Sequence, residues 1–111
     1  IKRWFSENYL NNNSEVYNFF YNLLERKKEE DFLPAYKIFV NSDQYSINYS
    51  NFKMPTLIMT GENEVGSTPL MSEGISKEIK NSNLYIIKDA KHGATIEQSK
   101  VVNEKINKFL F

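Results

Sequence analysis

The stretch from Met54 to Pro69 constrains the fold of this chain more than any other. A short apolar segment, Thr56–Thr60, leads through Gly61 into two carboxylates and then into the helix start Thr68-Pro69. A continuous apolar run is typical of a strand in a parallel sheet that is covered on both faces. Threonine is a good N-cap, and proline suits the first helical position. We therefore predict a strand, an acidic turn and a helix, and the carboxyl ends of such strands are where α/β sheets bind ligands.

A second strand and helix follow this unit. Residues 84–87 form a short apolar run that predicts the strand, and Ala90-Lys91-His92-Gly93 predicts a turn after it. An apolar stripe then indicates a final helix, which Thr95 or Ser99 could cap. The order strand, helix, strand, helix predicts a parallel crossover. Because parallel sheets usually have several strands, we expect residues 51–111 to be the end of a larger sheet whose other strands lie upstream of Ile1.

Three aromatic-rich helices are predicted before this α/β segment. The first covers residues 1–10, the second is capped by Ser14, and the third is capped by Asp31 with Pro34 in its first turn. The composition changes near residue 50, where we place the boundary between residues 1–50 and residues 51–111. We expect most aromatic side chains of the helices to pack in a core between them, and a few to line an apolar pocket. These aromatic residues are Trp4, Phe5, Phe19, Phe20, Phe32, Tyr36 and Phe39.

Composition and charge exclude several classes of function. The chain has 14 basic and 14 acidic residues, which gives no electrostatic basis for nucleic-acid binding. With one histidine and no cysteine, too few ligands remain for a protein metal site, and disulfides are excluded. No apolar run approaches the roughly 20 residues of a membrane span, so we expect no membrane partner. No targeting pattern is visible in the sequence, and we take a cytoplasmic location as the default.

The polar residues after the two predicted strands are the candidate site. Glu62 and Glu64 follow the first strand, and His92, the single histidine, follows the second, 28 residues after Glu64. An acid and a histidine at neighbouring strand ends are two parts of a hydrolytic triad. Ser67 and Thr68 are expected to serve the turn and the helix cap. The third part, a Gly-x-Ser-x-Gly nucleophile elbow, cannot be read anywhere in the 111 residues.

These segments resemble one enzyme family. Pro55–Pro69 resembles the penultimate strand and acid turn of the α/β-hydrolases, and is most similar to the enol-lactonase-like branch of small ester and lactone hydrolases. Ala90–Gln98 resembles their histidine loop, and Val102–Leu110 resembles their last helix. Arg3-Trp4-Phe5 and the following helices are similar to their helical cap. Family members usually have aspartate at the Glu64 position, glycine at the Lys91 position and proline at the Ser99 position.

The resemblance implies a fold, an activity and two catalytic residues. The fold would be the C-terminal fragment of an α/β-hydrolase, a helical cap followed by two parallel strands alternating with helices. Glu64 would be the triad acid, with Glu62 as its competitor, and His92 would be the general base of a serine hydrolase without a cofactor. The substrate would be a small ester, lactone or related carbonyl compound. The chain alone would be inactive, because the nucleophile and the oxyanion-hole loop are missing.

A non-catalytic alternative stays open. The chain could be a degenerate, hydrolase-like module that survives by pairing its exposed strand with another copy, since unpaired strand edges are templates for pairing. That alternative predicts a homodimer, and the hydrolase hypothesis predicts a small-molecule substrate.

Overall fold

The computed structural model describes the backbone of residues 1–111 and all side chains except that of Asp43. It is a mixed α/β structure with helices α1 (Glu7–Asn12), α2 (Ser14–Glu25) and α3 (Glu29–Val40), strand β1 (Thr56–Gly61), helix α4 (Pro69–Glu78), strand β2 (Ser82–Ile87), and helices α5 (Ala94–Glu97) and α6 (Ser99–Leu110). Two 3₁₀ turns, Asn41–Gln44 and Tyr49–Asn51, lie between α3 and β1.

The two strands form a parallel pair, as the alternation of strand and helix predicts. The register runs from Thr56 beside Ser82 to Gly61 beside Ile87, so both carboxyl ends lie at the same edge of the sheet. One face packs against α6, where Val102 joins a core with Ile87, Ala90 and Ala94. Helix α4 contacts both strands.

The connection from β1 to α4 follows its local sequence signals. Thr68 is the N-cap, and its hydroxyl accepts a hydrogen bond from the Met71 N–H at 3.4 Å; Pro69 occupies the first turn. The cap predicted from Thr68-Pro69 is therefore confirmed. It fixes the end of the acidic turn that joins β1 to the helix.

Helix starts elsewhere differ from the prediction. Helix α1 begins at Glu7 and not at Ile1, with Ser6 as its N-cap. Helix α2 begins at Ser14 after Asn13, and α3 begins at Glu29 after Lys28, so neither Ser14 nor Asp31 is a cap, and Pro34 lies inside α3. The final helix begins at Ser99 after Gln98, without a side-chain cap from Thr95 or Ser99.

Most aromatic side chains of the N-terminal helices are exposed, so the predicted aromatic core is wrong for most of its members. Phe5 is buried, and Trp4 and Phe20 are half-buried. The other four predicted core residues are exposed: Phe19, Phe32, Tyr36 and Phe39. Phe20 of α2 packs against Trp4 and Phe5, whereas α3 has no buried residue.

The chain is extended for its length. Its radius of gyration is 16.3 Å, whereas a compact domain of this size has a radius of about 13 Å. The strands are half-buried over most of their length. None of the described helices has the length and hydrophobicity needed to cross a lipid bilayer.

Candidate active site

The turn after β1 is tied to the end of β2 by backbone hydrogen bonds. The Glu62 N–H donates to the Ile87 carbonyl at 2.9 Å, and the Asn63 N–H donates to the Ala90 carbonyl at 2.8 Å. Gly61 allows the close approach, since a Cβ at this position would lie 2.5 Å from the carbonyl oxygen of Ala90. The acid turn and the histidine turn are therefore held against each other at the carboxyl edge of the sheet.

A short hydrogen bond joins Glu64 and His92 across these turns. The distance from Glu64 Oε2 to His92 Nδ1 is 2.6 Å. The second carboxylate oxygen, Oε1, accepts the Gly66 backbone N–H at 2.6 Å. Glu64 is 8% exposed, whereas the His92 side chain is 64% exposed. The pair is thus a buried carboxylate that holds an accessible imidazole.

The charge state of Glu64 fixes the tautomer of neutral His92. Burial raises the pKa of the Glu64 carboxyl, but hydrogen bonds from Gly66 and His92 outweigh this effect, and the net pKa lies below the usual 4.5. An ionised carboxylate can only accept hydrogen bonds, so Nδ1 must carry the proton. We therefore assign Nε2 as the free acceptor, which is the nitrogen a general base uses.

This lowered pKa predicts how stability depends on pH. A carboxyl whose folded pKa lies below its unfolded value stabilises the protein above about pH 4.5, and this contribution is lost as the pH falls through the folded pKa. We expect wild-type protein to exceed Glu64→Gln in free energy of unfolding at pH 7, and the difference to shrink below pH 4.5. Urea denaturation of both proteins from pH 7 to pH 3 measures it, and a constant difference would contradict the assignment.

A cavity opens beside the pair. Its volume is about 660 Å³, within the range of small-molecule sites. Arg3, Glu64 and the imidazole of His92 lie in its wall, and apolar side chains from the N-terminal half and from α4 supply most of the rest. These apolar residues are Trp4, Phe39, Val40 and Met71. Trp4 and Phe39 are thus the aromatic residues that line the pocket.

Glu62, the competing acid, takes a different position. It is exposed, and its carboxylate accepts the Asp89 backbone N–H at 3.0 Å. The carboxylate of Glu62 therefore bonds to the backbone at Asp89, and of the two predicted acids Glu64 is the one that contacts His92. The catalytic role of both Glu64 and His92 stays a prediction.

The cavity also contains two serines, Ser42 and Ser67, but neither forms a hydrogen bond with His92 among the described residues. The Ser42 hydroxyl donates to the Phe39 carbonyl at 2.6 Å, and the Ser67 carbonyl accepts from the Thr60 hydroxyl at 3.0 Å. Among the described residues, His92 therefore has a hydrogen bond to Glu64 and none to a serine.

Sequence reasoning missed the role of Glu97. The sequence pattern assigns it no role beyond its place after the possible cap Thr95, but its buried carboxylate accepts the backbone N–H groups of Ser6 and Lys91. Neither N–H lies in the helix that Thr95 was expected to cap, and Ser6 is 91 residues away in sequence. The only signal in the sequence is an acidic residue close to His92. Its burial, which gives it this role, is visible only in the structure.

Comparison with family models, with curated proteins and with solved structures finds no match to this chain. The structure is a mixed α/β chain with a two-stranded parallel sheet. Any function must therefore be argued from the geometry of the site.

Proposed function

We propose that this chain provides the acid and the histidine of a serine-type α/β-hydrolase that acts on a small ester, lactone or related carbonyl substrate. The observation that carries the proposal is the 2.6 Å hydrogen bond between Glu64 and His92. It lies beside a cavity of suitable size at the carboxyl edge of two parallel strands. Carboxylate and imidazole are two of the three groups of such a triad, and they lie where its acid and histidine are expected in the sheet.

The chemistry assigns one role to each residue. A serine from outside these 111 residues would donate its hydroxyl hydrogen bond to His92 Nε2. As the serine attacks the substrate carbonyl, His92 takes the proton, and it then returns the proton to the departing alcohol. Water repeats the sequence to release the acid. Glu64 stabilises the imidazolium that forms in both steps, and its second oxygen is held by Gly66 so that its orientation is fixed.

The helical segment 1–50 would be the cap in this proposal. It contributes Trp4, Phe39 and Val40 to the cavity wall, and these apolar side chains would contact the non-reacting part of a substrate. Arg3 lies on the same wall. A site that is mainly apolar with few polar groups is typical of small-molecule pockets.

Complementation tests the proposal. We would co-express the chain with a segment that carries a Gly-x-Ser-x-Gly elbow and its preceding strands, purify the complex, and measure hydrolysis of a small activated ester. We expect turnover from the complex and none above background from the chain alone. A folded complex without turnover would count against the proposal.

A non-catalytic, self-associating role is the second candidate, and the exposed surface supports it. The chain has 8772 Å² of accessible surface, whereas a compact protein of 13.1 kDa has about 6,400 Å². The outer edges of β1 and β2 are unpaired within the described residues, and exposed apolar side chains on α2 and α3 add to this surface. Pairing of strand edges between two copies would cover part of it.

Self-association predicts a measurable mass. If two copies pair through their strand edges, sedimentation of the isolated chain will give a mass twice that of the monomer at micromolar concentration, and the monomer will appear on dilution. The exposed apolar side chains of α2 and α3 would add to such a dimer interface. If they do, a matched sample in about 1 M urea should contain a larger fraction of monomer. A chain that is monomeric at all concentrations and unfolds cooperatively would exclude this role.

A further inference from the structure

Glu97 is a buried carboxylate that joins two distant parts of the backbone. It is 9% exposed and lies in α5. Its Oε1 accepts the Ser6 N–H at 2.9 Å, and its Oε2 accepts the Lys91 N–H at 3.1 Å. Both oxygens are therefore used by backbone donors, one directly before His92 and one at the N-cap of α1.

Three further contacts connect the same two regions. The Gly93 N–H donates to the Trp4 carbonyl at 2.6 Å, and Lys91 Nζ donates to the Lys2 carbonyl at 2.9 Å. The buried Phe5 ring packs against Gly93 so closely that a Cβ there would overlap it. We name residues 2–6 the N-terminal brace. Both neighbours of His92 in the sequence are bonded to this brace or to the carboxylate that holds it.

We propose that Glu97 is the positioning residue of the site: by clamping the N-terminal brace to the histidine loop, it holds His92 in hydrogen-bonding register with Glu64. His92 is itself largely exposed, so packing around the imidazole gives it little restraint. Its orientation must come from Glu64 on one side and from the backbone at Lys91 and Gly93 on the other. Glu97 holds the Lys91 backbone directly. It holds the Gly93 backbone indirectly, because Gly93 is bonded to Trp4 of the N-terminal brace and Glu97 is bonded to Ser6 of the same segment.

The chemistry of the contact requires a carboxylate and not an amide. Two N–H donors converge on the two oxygens of Glu97. A glutamine has one oxygen, and its amino group would face the other backbone donor, so at least one N–H would lose its acceptor. Hydrogen bonds to an ionised acceptor are also stronger than those to a neutral one. Glu97→Gln thus removes the clamp at nearly constant volume.

The same contacts couple the cavity wall to the imidazole. The Trp4 side chain lines the cavity while its carbonyl accepts from Gly93. A ligand that packs on Trp4 therefore touches the segment that restrains His92. The catalytic meaning of this coupling rests on the proposed function, but the positioning itself can be measured without turnover.

The chain offers a well-suited probe, because it contains a single histidine. The hydrogen-bonded Nδ1 proton of His92 should give a low-field proton resonance in the wild-type protein. In Glu97→Gln we expect this resonance to broaden or disappear, and the Gly93 amide to exchange with solvent roughly tenfold faster or more. Glu62→Gln is the matched control, since it also removes a carboxylate that accepts a backbone N–H, but away from the brace. It should keep both signals.

The outcomes separate the possible failures. A folded Glu97→Gln protein with an unchanged low-field resonance and unchanged Gly93 exchange would overturn the positioning role. If Glu97→Gln does not fold, exchange in the wild-type protein decides: the amides of Ser6, Lys91 and Gly93 should open as one unit with equal rates, and independent opening would overturn the clamp. Absence of the low-field resonance from the wild-type protein would instead contradict the Glu64–His92 pair on which the proposed function depends.

Discussion

Replacing His92 with alanine should lower the turnover of the complemented hydrolase on the order of 10⁶-fold, and Glu64→Gln should lower it on the order of 10⁴-fold. Without His92 no group takes the serine proton. In the Glu64→Gln variant the imidazole keeps its place but loses the charge that stabilises it and fixes its tautomer. Most of each loss should appear in kcat, because both groups act in the transition state.

Glu62→Gln is the control for this pair of substitutions. Glu62 follows the same strand, and its carboxylate contacts the Asp89 backbone and not His92. We expect its turnover to stay within about threefold of wild type, since no interaction with the reacting atoms is lost. Turnover that falls as far in Glu62→Gln as in Glu64→Gln would transfer the role of the acid to Glu62. Near-UV circular dichroism would show whether each variant keeps its fold.

The second large effect concerns the glycine at the end of β1. Gly61→Ala should destabilise the chain by about 3 kcal/mol, because the new Cβ would lie 2.5 Å from the carbonyl oxygens of both Ala90 and Lys91. These are backbone atoms of the histidine turn, so they can yield only if the turn moves away from the strand. Urea denaturation measures the loss, and the Glu64–His92 hydrogen bond should weaken with it.

Gly74→Ala provides a control of opposite sign. Gly74 lies inside α4, and a Cβ there meets no atom within 4 Å. Alanine in place of this helical glycine should stabilise the chain by roughly 0.5–1 kcal/mol. If both substitutions change the free energy of unfolding equally, the close approach at Gly61 is not a constraint.

Local signals in the sequence predicted the elements that carry the site. Thr68 and Pro69 act within one helical turn, so the start of α4 could be predicted from neighbouring residues alone. The same holds for the two strands, although β1 extends to Gly61 and β2 begins at Ser82. Their parallel pairing followed from the order of elements, and this pairing brings Glu64 to His92.

The errors come from contacts between distant residues. Residues 1–5 carry a helical pattern, but burial of Phe5 against Gly93 and the bond between Trp4 and Gly93 hold them outside α1. The choice between Glu62 and Glu64 depended on which carboxylate reaches the opposite turn, which spacing alone does not decide. The exposure of α2 and α3 could not be predicted for the same reason. Periodicity identifies the apolar face of a helix but not the segment that packs against it.

The contact between Glu97 and Ser6 also has a kinetic consequence. It closes a loop of 91 residues, and ordering such a loop costs about 4 kcal/mol of chain entropy beyond a constant term. The strand pair β1–β2 with α4 needs contacts over a much shorter separation, so it can form first. We therefore expect docking of the N-terminal brace to be a late step in folding. On this order, His92 would reach its final geometry only in that step, after the strand pair β1–β2 has formed.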